Sequence, residues 1–311
     1  MHLPTDARAA ILAWYLERGR PLAFRRTTDP YAILVSEAMA QQTQAARAAA
    51  YWERFIERFP TVQALAGSTP ADVLRSWAGL GYDRRALALW RAARVIVDEH
   101  GGTVPDSVAA LQALPGVGPY TARAVAALAY GLPVGAVDVN VRRVLGRIVA
   151  GSEVALSAAE LQAVADGAVP PDAPGTWTHA LMDLGATVCR PRRPACPSCP
   201  ALAWCRFATA AGDGVVPRAG SVPRAASGRA DRVPAVPFAS TTRWLRGRIL
   251  DRLRALPDGR WAAISGPIGD HDGPAVRAAL RALAREGMIE VDTSPDAPID
   301  ADVPRVRLPL G

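Results

Sequence analysis

The chain has 311 residues, of which 50% are hydrophobic and 21% are charged. This balance is typical of a folded protein with a sizeable core, and it excludes a chain that is disordered overall. The sequence has 36 basic and 29 acidic residues, a net charge of +7, and every basic residue is an arginine because lysine is absent. The net positive charge predicts a polyanionic partner, whereas a high-GC genome alone could explain the preference for arginine.

Long apolar segments and scattered cysteines are both absent from the sequence. No run of 18 apolar residues occurs, so we expect no membrane-spanning helix. The first eight residues lack a basic segment that leads into an apolar one, so we expect no secretion signal. All four cysteines lie between Cys189 and Cys205, whereas a disulfide framework would spread them along the chain. We therefore expect a cytoplasmic protein with one local metal site.

Helical periodicity of the apolar residues runs from about residue 5 to residue 207. Asp29 before Pro30 is a predicted helix N-cap, and Gly19 ends the first apolar stripe. No alternating strand pattern interrupts this part, which predicts an all-α fold. After the first helix, the predicted helices cover about residues 30–41, 44–58, 70–78, 83–99, 106–114, 119–130, 138–149, 157–168 and 176–187.

The C-terminal part of the chain changes in composition. Residues 211–238 are rich in Gly, Pro, Arg, Val and Ser and form a predicted linker. Residues 239–311 then show helical patterns at 244–253 and 276–284, followed by two short predicted strands at 288–291 and 306–308. Two helices and a hairpin resemble a winged-helix module, a small α+β unit. This unit either contacts a DNA groove or serves only for packing.

The cysteines follow one another with the spacing C-x6-C-x2-C-x5-C, at Cys189, Cys196, Cys199 and Cys205. Four thiolates this close in sequence can hold an iron–sulfur cube or a tetrahedral zinc ion. Structural zinc sites more often use two separated C-x2-C pairs, and this loop does not divide in that way. The spacing therefore favours an iron–sulfur cluster with a structural role.

A glycine-containing turn, LPGVGPYTA at residues 114–122, joins two predicted helices. Gly116 and Gly118 would expose backbone N–H groups where the next helix begins, which is a suitable place for a phosphate. An ordinary helix–helix turn is the alternative. Asp138 follows about 20 residues later and is expected to cap another helix.

The segment SEAMAQQTQ at residues 36–44 places Glu37 within an apolar helix. A carboxyl group in apolar surroundings has a raised pKa, which suits a general acid. The amides of Gln41 and Gln42 can form hydrogen bonds with base edges, although a solvated helix end has the same composition.

These motifs together resemble the helix–hairpin–helix glycosylase superfamily, and within it the MutY-type adenine DNA glycosylases. The similarity covers about residues 5–207 and depends on six motifs in order: SEAMAQQTQ, GLGY, LPGVGPYTA, VDVNVRRVL, ALMDLGA and the cysteine loop. The resemblance implies a two-lobed glycosylase domain over residues 1–210. Its six-helix barrel would span about 22–135, and its cluster lobe would combine 1–21 with 136–210. It also implies a 4Fe–4S cluster, mismatched double-stranded DNA as the partner and a nucleoid-associated location. We expect a monomer, because the sequence shows no heptad seam and no obvious large apolar patch.

The resemblance also implies roles for individual residues. Glu37 would protonate the extruded adenine and later position water, and Asp138 would stabilise the cationic sugar. Tyr120 and Asn140 would support them, while Gln42 and Tyr82 would wedge into the duplex. Further substrate or DNA contacts are implied for Arg25, Gln41, Gly116, Gly118 and His179, and for His179 a solvated position is the alternative.

Four positions depart from the usual family pattern, at Phe24, Ala40, Asp83 and His179. Three functions therefore stay open: excision of adenine opposite 8-oxoguanine or guanine, excision of thymine or uracil opposite guanine, and non-catalytic DNA binding by a cluster-containing regulator. Strand-cutting relatives have a lysine where Tyr120 follows Pro119, and this chain has no lysine at all. The sequence therefore predicts base excision without a Schiff base.

Overall fold

The computed structural model describes residues 2–209, 237–294 and 304–311. The predicted linker at 211–238 lies outside these residues except for its last two positions. Most of the described chain is helical, as the sequence predicts. None of the helices in the described ranges is both long and apolar enough to cross a membrane.

The described residues form fourteen α-helices and three short strands. The helices are α1 (Thr5–Arg18), α2 (Pro30–Ala40), α3 (Ala45–Arg58), α4 (Val62–Ala66), α5 (Pro70–Ser76), α6 (Arg84–His100), α7 (Val108–Ala113), α8 (Pro119–Tyr130), α9 (Val139–Ala150), α10 (Ala158–Ala168), α11 (Pro174–Asp183), α12 (Arg206–Thr209), α13 (Thr242–Arg254) and α14 (Gly273–Arg285). The strands are β1 (Ala262–Ala263), β2 (Glu290–Val291) and β3 (Arg305–Arg307).

The chain divides into two compact units, each built from two segments. The first unit combines Met1–Glu37 with Val104–Ser227, and the second combines Ala38–Thr103 with Gly228–Gly311. This grouping of residues differs from the predicted barrel and cluster-lobe boundaries, which remain a prediction.

The core of the first unit lies between α1, α9, α10 and α11. Its largest fully buried side chains include Ile11, Leu145, Leu161 and Trp177. Helix α7 packs on α8 in the same unit, as expected for two helices joined by a tight turn. The N-termini of α8 and α9 therefore belong to the same compact unit as Glu37.

In the second unit, α6 packs against α4 and α5, and α13 packs against α5 and α14. The strands form one antiparallel sheet in the order β1-β3-β2, with Val306 paired with both Ala262 and Val291. The C-terminal part therefore has the predicted α+β character. Strand β1 and the five-residue helix α4 are absent from the sequence-based prediction, because elements this short leave almost no periodic signal.

Candidate active site

Helix α2 places Glu37 among apolar side chains. The helix begins where Asp29 Oδ1 accepts a hydrogen bond from the backbone N–H of Ala32 at 2.7 Å, which confirms the predicted N-cap. Four neighbours of Glu37 on this helix are buried: Ile33, Leu34, Val35 and Met39. Glu37 itself is 6% exposed, and within the described residues its Oε2 atom has no hydrogen-bond partner. The site therefore holds a buried carboxyl group with one oxygen available to a ligand.

Burial has the largest effect on the Glu37 carboxyl and raises its pKa to about 7, an increase to which the nearby charge of Asp138 also contributes. A hydrogen bond from the Tyr120 hydroxyl and the charge of Arg25 act in the opposite direction. Burial also has the largest effect on Tyr120, and together with the charges of Glu37 and Asp138 it raises the pKa of Tyr120 well above its ordinary value. Glu37 can therefore hold a proton near neutral pH and release it to a base, as a general acid must.

Asp138 caps helix α9, as the sequence predicts. Its Oδ1 atom accepts hydrogen bonds from the backbone N–H groups of Asn140 at 2.8 Å and Val141 at 2.7 Å. Its Oδ2 atom accepts a third from the Asn140 side-chain amide at 2.8 Å. Three donors hold this carboxylate in one orientation, which suits electrostatic stabilisation of a developing positive charge.

A buried arginine holds Asn140 in place. Arg143 donates hydrogen bonds to Asn140 Oδ1 at 2.7 Å, to the Gly185 carbonyl at 2.8 Å and to the Cys189 carbonyl at 2.7 Å. Gly185 lies so close to Asn140 that a Cβ atom on it would be 2.5 Å from Asn140 Cβ. Asp138 is therefore connected through Asn140 and Arg143 to the start of the cysteine loop.

Asp183 is a buried charge that the sequence analysis did not select. It is fully buried and forms ion pairs with Arg20 and with Arg25, the latter through two hydrogen bonds of 2.7 Å. Burial acts to raise the pKa of Asp183, but the hydrogen bonds from Arg25 and Arg20 outweigh it and lower the pKa below its ordinary value. The ALMDLGA motif contains this aspartate, yet one acid on an amphipathic helix looks like an ordinary surface residue.

His179 lies close to this ion-pair cluster. Its ring centroid is 6.4 Å from that of Tyr15, over which the Arg25 guanidinium also lies, at 5.8 Å. Burial, helped by the charge of Arg25, lowers the pKa of His179 to about 3. His179 is therefore a neutral imidazole with one donor and one acceptor nitrogen, and the residue is partly exposed. Phe24, another departure from the family pattern, is also buried.

The glycine-containing turn leads directly into α8. Gly116 has a φ of +77°, a left-handed conformation that glycine adopts without steric strain. Gly118 precedes Pro119 at the N-terminus of α8, and the space beside its Cα is open, since a Cβ atom there would meet nothing within 4 Å. The geometry is compatible with a phosphate at the start of α8, a role that stays a prediction.

The second unit contains Gln41, Gln42 and Tyr82. Gln42 and Tyr82 have φ angles of 54° and 53°, which are uncommon for residues other than glycine. Arg85 supports both loops, since it donates hydrogen bonds to the carbonyls of Met39 at 3.0 Å and Gly81 at 3.0 Å. Tyr82 is 41% exposed, so part of its ring is accessible to solvent. Asp83 forms an ion pair with Arg254.

The four cysteines line one largely apolar cavity in the first unit, together with Val144, Ile148, Leu184 and other residues. None of them forms a disulfide. The buried Arg147 donates hydrogen bonds to the carbonyls of Arg190 and Pro191, both at 2.9 Å, and lies 3.6 Å from Cys189 Sγ. The loop therefore brings four thiols and one buried positive charge to a single cavity.

The spacing of these thiols bears on the kind of group they could hold. In the ranges that the structure describes, no group of three or more His, Cys, Asp or Glu side chains is arranged to hold a single metal ion. Thiolates on one tetrahedral zinc would lie only about 3.8 Å apart, given a Zn–S bond of about 2.3 Å. A cube binds each thiolate to a different iron and needs wider spacing. The four thiols are therefore candidate ligands for a metal centre.

Comparison with known proteins identifies the superfamily. Residues 35–164 match the HhH-GPD superfamily of base excision DNA repair proteins. An adenine DNA glycosylase of Mycolicibacterium smegmatis is 45% identical over 78% of this chain and 79% of its own length. The human adenine DNA glycosylase is 42% identical over 65% of this chain and 39% of its own length.

Solved structures support the same fold. A thermostable thymine-DNA glycosylase aligns with a TM-score of 0.62 and 30% identity, covering 65% of this chain and 95% of its own. Endonuclease III in a non-covalent DNA complex aligns with a TM-score of 0.57 and 24% identity, covering 65% and 94%. With six family motifs in order and close relatives along most of its length, the chain belongs to the adenine DNA glycosylases of the HhH-GPD superfamily.

Proposed function

We propose that this chain is a base-excision-repair enzyme that hydrolyses the N-glycosidic bond of adenine mispaired with 8-oxoguanine or guanine in double-stranded DNA. The observation that carries the proposal is the buried carboxyl of Glu37, which has one oxygen without a hydrogen-bond partner among the described residues. Burial raises its pKa to about 7, with Tyr120 and Asp138 also acting on it. Membership of the adenine DNA glycosylase family supports adenine as the base that is removed.

The target base must first leave the duplex, because its glycosidic bond is not accessible inside the stack. Tyr82 and Gln42 are suited to fill the space that the base leaves, since one supplies an exposed ring and the other an amide. Arginines supply most of the positive charge for the DNA backbone. The N–H groups at Gly116 and Gly118 would add a phosphate contact without a charged side chain.

Glu37 then donates its proton to a ring nitrogen of the extruded adenine. The glycosidic bond breaks, its electron pair leaves with the adenine, and the sugar becomes an oxocarbenium-like cation. The Asp138 carboxylate, held by Asn140 and Val141, stabilises that cation electrostatically. Glu37 is now a carboxylate and accepts a proton from the water that attacks the sugar carbon. This step restores the acid form and leaves an abasic site.

The base pocket would be formed by the buried groups around Asp183. Arg25 is held by Asp183, and the neutral His179 carries one donor and one acceptor nitrogen. The Watson–Crick edge of adenine also carries one donor and one acceptor. His179 is therefore a candidate for base contact, in a position where relatives usually have another polar residue.

We assign a 4Fe–4S cluster to the cavity lined by Cys189, Cys196, Cys199 and Cys205. The cluster would bind the four thiolates and stabilise the loop, and no step of base excision uses it. Arg147, which lies 3.6 Å from Cys189 Sγ, would offset part of the negative charge of the thiolates. Because Arg143 binds the Cys189 carbonyl, a stable loop also supports Asn140 and Asp138.

Strand cleavage is not part of the proposed activity. A lyase of this superfamily needs a primary amine for a Schiff base, and this chain contains no lysine. Tyr120 cannot form an imine, and arginine stays protonated. Borohydride added during turnover should therefore trap no protein–DNA adduct, and strand breaks should appear only after alkali or heat. A trapped adduct at stoichiometric yield would contradict this part of the proposal.

A thymine or uracil glycosylase is the second candidate, because a thymine-DNA glycosylase shares the fold at 30% identity. A non-catalytic regulator is a weaker candidate, since DNA binding alone requires neither Glu37 nor Asp138. Single-turnover excision on duplexes with A opposite 8-oxoguanine, A opposite G, and T or U opposite G separates the three. The proposal expects rapid adenine release only; release of T or U alone, or no release, would contradict it.

A further inference from the structure

The C-terminal helix α13 contributes one side chain to the loop that carries Tyr82. Arg243, in the first turn of α13, donates a hydrogen bond from Nη1 to the Tyr82 hydroxyl at 3.0 Å. Its guanidinium also lies over the Tyr82 ring, 4.1 Å from the ring centroid. Both residues belong to the second compact unit, although 161 positions separate them in sequence.

Tyr82 needs such support because its backbone conformation is unfavourable. Its φ angle of 53° follows positive φ angles at Gly79 and Gly81. A bulky side chain adopts this conformation only where its surroundings hold it. Arg85 supplies part of that support through the Gly81 carbonyl, and Arg243 is the contact made by the C-terminal segment.

Two sets of ion pairs fix α13 at this loop. Arg254 at the end of the helix binds Asp83, the residue after Tyr82, and donates a hydrogen bond to the Leu74 carbonyl at 3.0 Å. Glu286, just beyond α14, binds both Arg84 and Arg246. The Arg254 and Asp83 side chains are only 9% and 14% exposed. The position of Arg243 is therefore set by contacts of α13 and Glu286 with Leu74, which precedes the GLGYD segment, and with Asp83 and Arg84 at its C-terminal end.

A cavity of about 670 Å³ lies beside this contact, wholly within the second unit. Gln42, Tyr82, Arg243, Trp244 and Phe238 are among the residues that line it. Exposed rings stack on nucleobases, and arginines bind the backbone phosphates beside them. A nucleobase with its adjoining phosphate has the chemistry to contact these rings and arginines.

We propose that Arg243 is a positioning residue, which holds the Tyr82 ring in the conformation that tests the base opposite the target adenine. This inference rests on the proposed function and extends it, because it gives Arg243 of α13 a role in holding the Tyr82 ring. Arg243 acts through Tyr82 rather than on the reacting atoms. Its removal should therefore alter substrate preference more than the rate of bond cleavage.

The test uses the full-length protein with Arg243→Ala, Tyr82→Ala and the double variant. Arg252→Ala is the matched control, since Arg252 is an exposed arginine on the same helix and does not line the cavity. The measured quantity is kcat/KM for adenine opposite 8-oxoguanine divided by kcat/KM for adenine opposite guanine. For Arg243→Ala we expect this ratio to fall about tenfold, the effect of losing one hydrogen bond and one cation–π contact. The rate at saturating substrate should change less than about twofold.

The double variant distinguishes positioning from independent contact. If Arg243 acts through Tyr82, the double variant should lose no more discrimination than Tyr82→Ala alone. Additive losses, or equal losses for Arg243→Ala and Arg252→Ala, would overturn the inference. Arg243→Gln repeats the test if the alanine variant folds poorly, as judged by circular dichroism. Absence of adenine excision by the wild-type protein would instead overturn the proposed function, so the two failures are distinguishable.

Discussion

The Tyr120 hydroxyl, a hydrogen-bond donor beside the Glu37 carboxyl that also lies 3.8 Å from Met182 Sδ, opposes the effect of burial on the pKa of Glu37. The two residues come from different helices, α2 and α8, within one compact unit. Burial still prevails and raises the pKa to about 7. The balance keeps the acid form available at neutral pH, where a lower pKa would leave too little of it.

This balance predicts how excision depends on pH. Glu37 must be protonated to act, so the single-turnover rate constant should be highest below pH 7 and should fall about tenfold per pH unit well above it. Tyr120→Phe removes a hydrogen bond that lowers the pKa, so the falling limb should move to higher pH. The profile is measured by quenched excision assays between pH 5 and pH 9.

Tyr130→Phe provides the control for that profile. Tyr130 lies on the same helix, α8, and its hydroxyl binds the Val104 carbonyl instead. Its removal should leave the pH profile unchanged. If Tyr120→Phe moved the falling limb to lower pH, or if both variants moved it equally, the hydrogen bond would not tune Glu37.

The same buried carboxyl predicts a signed effect on stability. A folded-state pKa raised from 4.5 to about 7 means that the folded protein binds the proton more tightly than the unfolded chain does. The contribution of Glu37 to the free energy of unfolding is therefore largest below the unfolded pKa and decreases as the pH rises through about 7. The stability that Glu37→Gln gains over wild type should therefore be larger at pH 8 than at pH 5, by about 3 kcal/mol at most.

Urea unfolding of the wild type and Glu37→Gln at both pH values measures this difference. Glu57→Gln, at an exposed position on α3, is the control and should show no such pH-dependent gain. If Glu37→Gln gained no more stability over wild type at pH 8 than at pH 5, burial would not raise the pKa of Glu37 in the folded protein.

Much of the site could be predicted from local sequence, because helix caps and apolar periodicity determine where its helices begin and which side chains they bury. Asp29 and Asp138 both cap the helices that their positions indicate. The apolar neighbours of Glu37 also predict its burial. These features depend on residues close together in the chain, where capping and periodicity apply directly.

The contacts that sequence reasoning missed join distant residues. Asp183 binds Arg25 across 158 positions and Arg254 binds Asp83 across 171. No periodic pattern connects such partners, and a charged residue on an amphipathic helix is usually solvated. The family resemblance predicted the type of enzyme, yet the support that Arg243 gives to Tyr82 became apparent only from the structure.

Gly185→Ala should disturb catalysis through Asn140. The added methyl group would lie 2.5 Å from Asn140 Cβ, so Asn140 must shift and its hydrogen bond to Asp138 Oδ2 must weaken. We expect excision to slow by about 10- to 100-fold, as for a displaced catalytic group, while DNA affinity changes little. Single-turnover kinetics and fluorescence anisotropy measure the two quantities.

Gly167→Ala is the matched control for that substitution. A Cβ atom at Gly167, on α10, would meet nothing within 4 Å. Alanine there should leave excision unchanged and stabilise the helix by up to about 1 kcal/mol. Equal activity of the two alanine variants would show that the contact between Gly185 and Asn140 does not position Asp138.

The cysteine cavity predicts a coloured protein. With an iron–sulfur cluster bound, the purified protein should be brown, with broad absorption from charge transfer between thiolate and iron. Cys199→Ser should lose the colour, the bound iron and much of the folded yield together, because Cys199 lines the cavity with the other three cysteines. Iron and zinc are measured by elemental analysis after anaerobic purification. Colourless protein with stoichiometric zinc would overturn the cluster assignment.

The most direct test of the central claim is single-turnover adenine release by Glu37→Gln from a duplex with adenine opposite 8-oxoguanine. Glutamine keeps the shape of the side chain but cannot donate the proton, so excision should fall by at least about 100-fold. Affinity for the same duplex, measured by anisotropy, should remain within about threefold of wild type. A loss of excision below about tenfold, with binding intact, would contradict the role of Glu37 as the general acid.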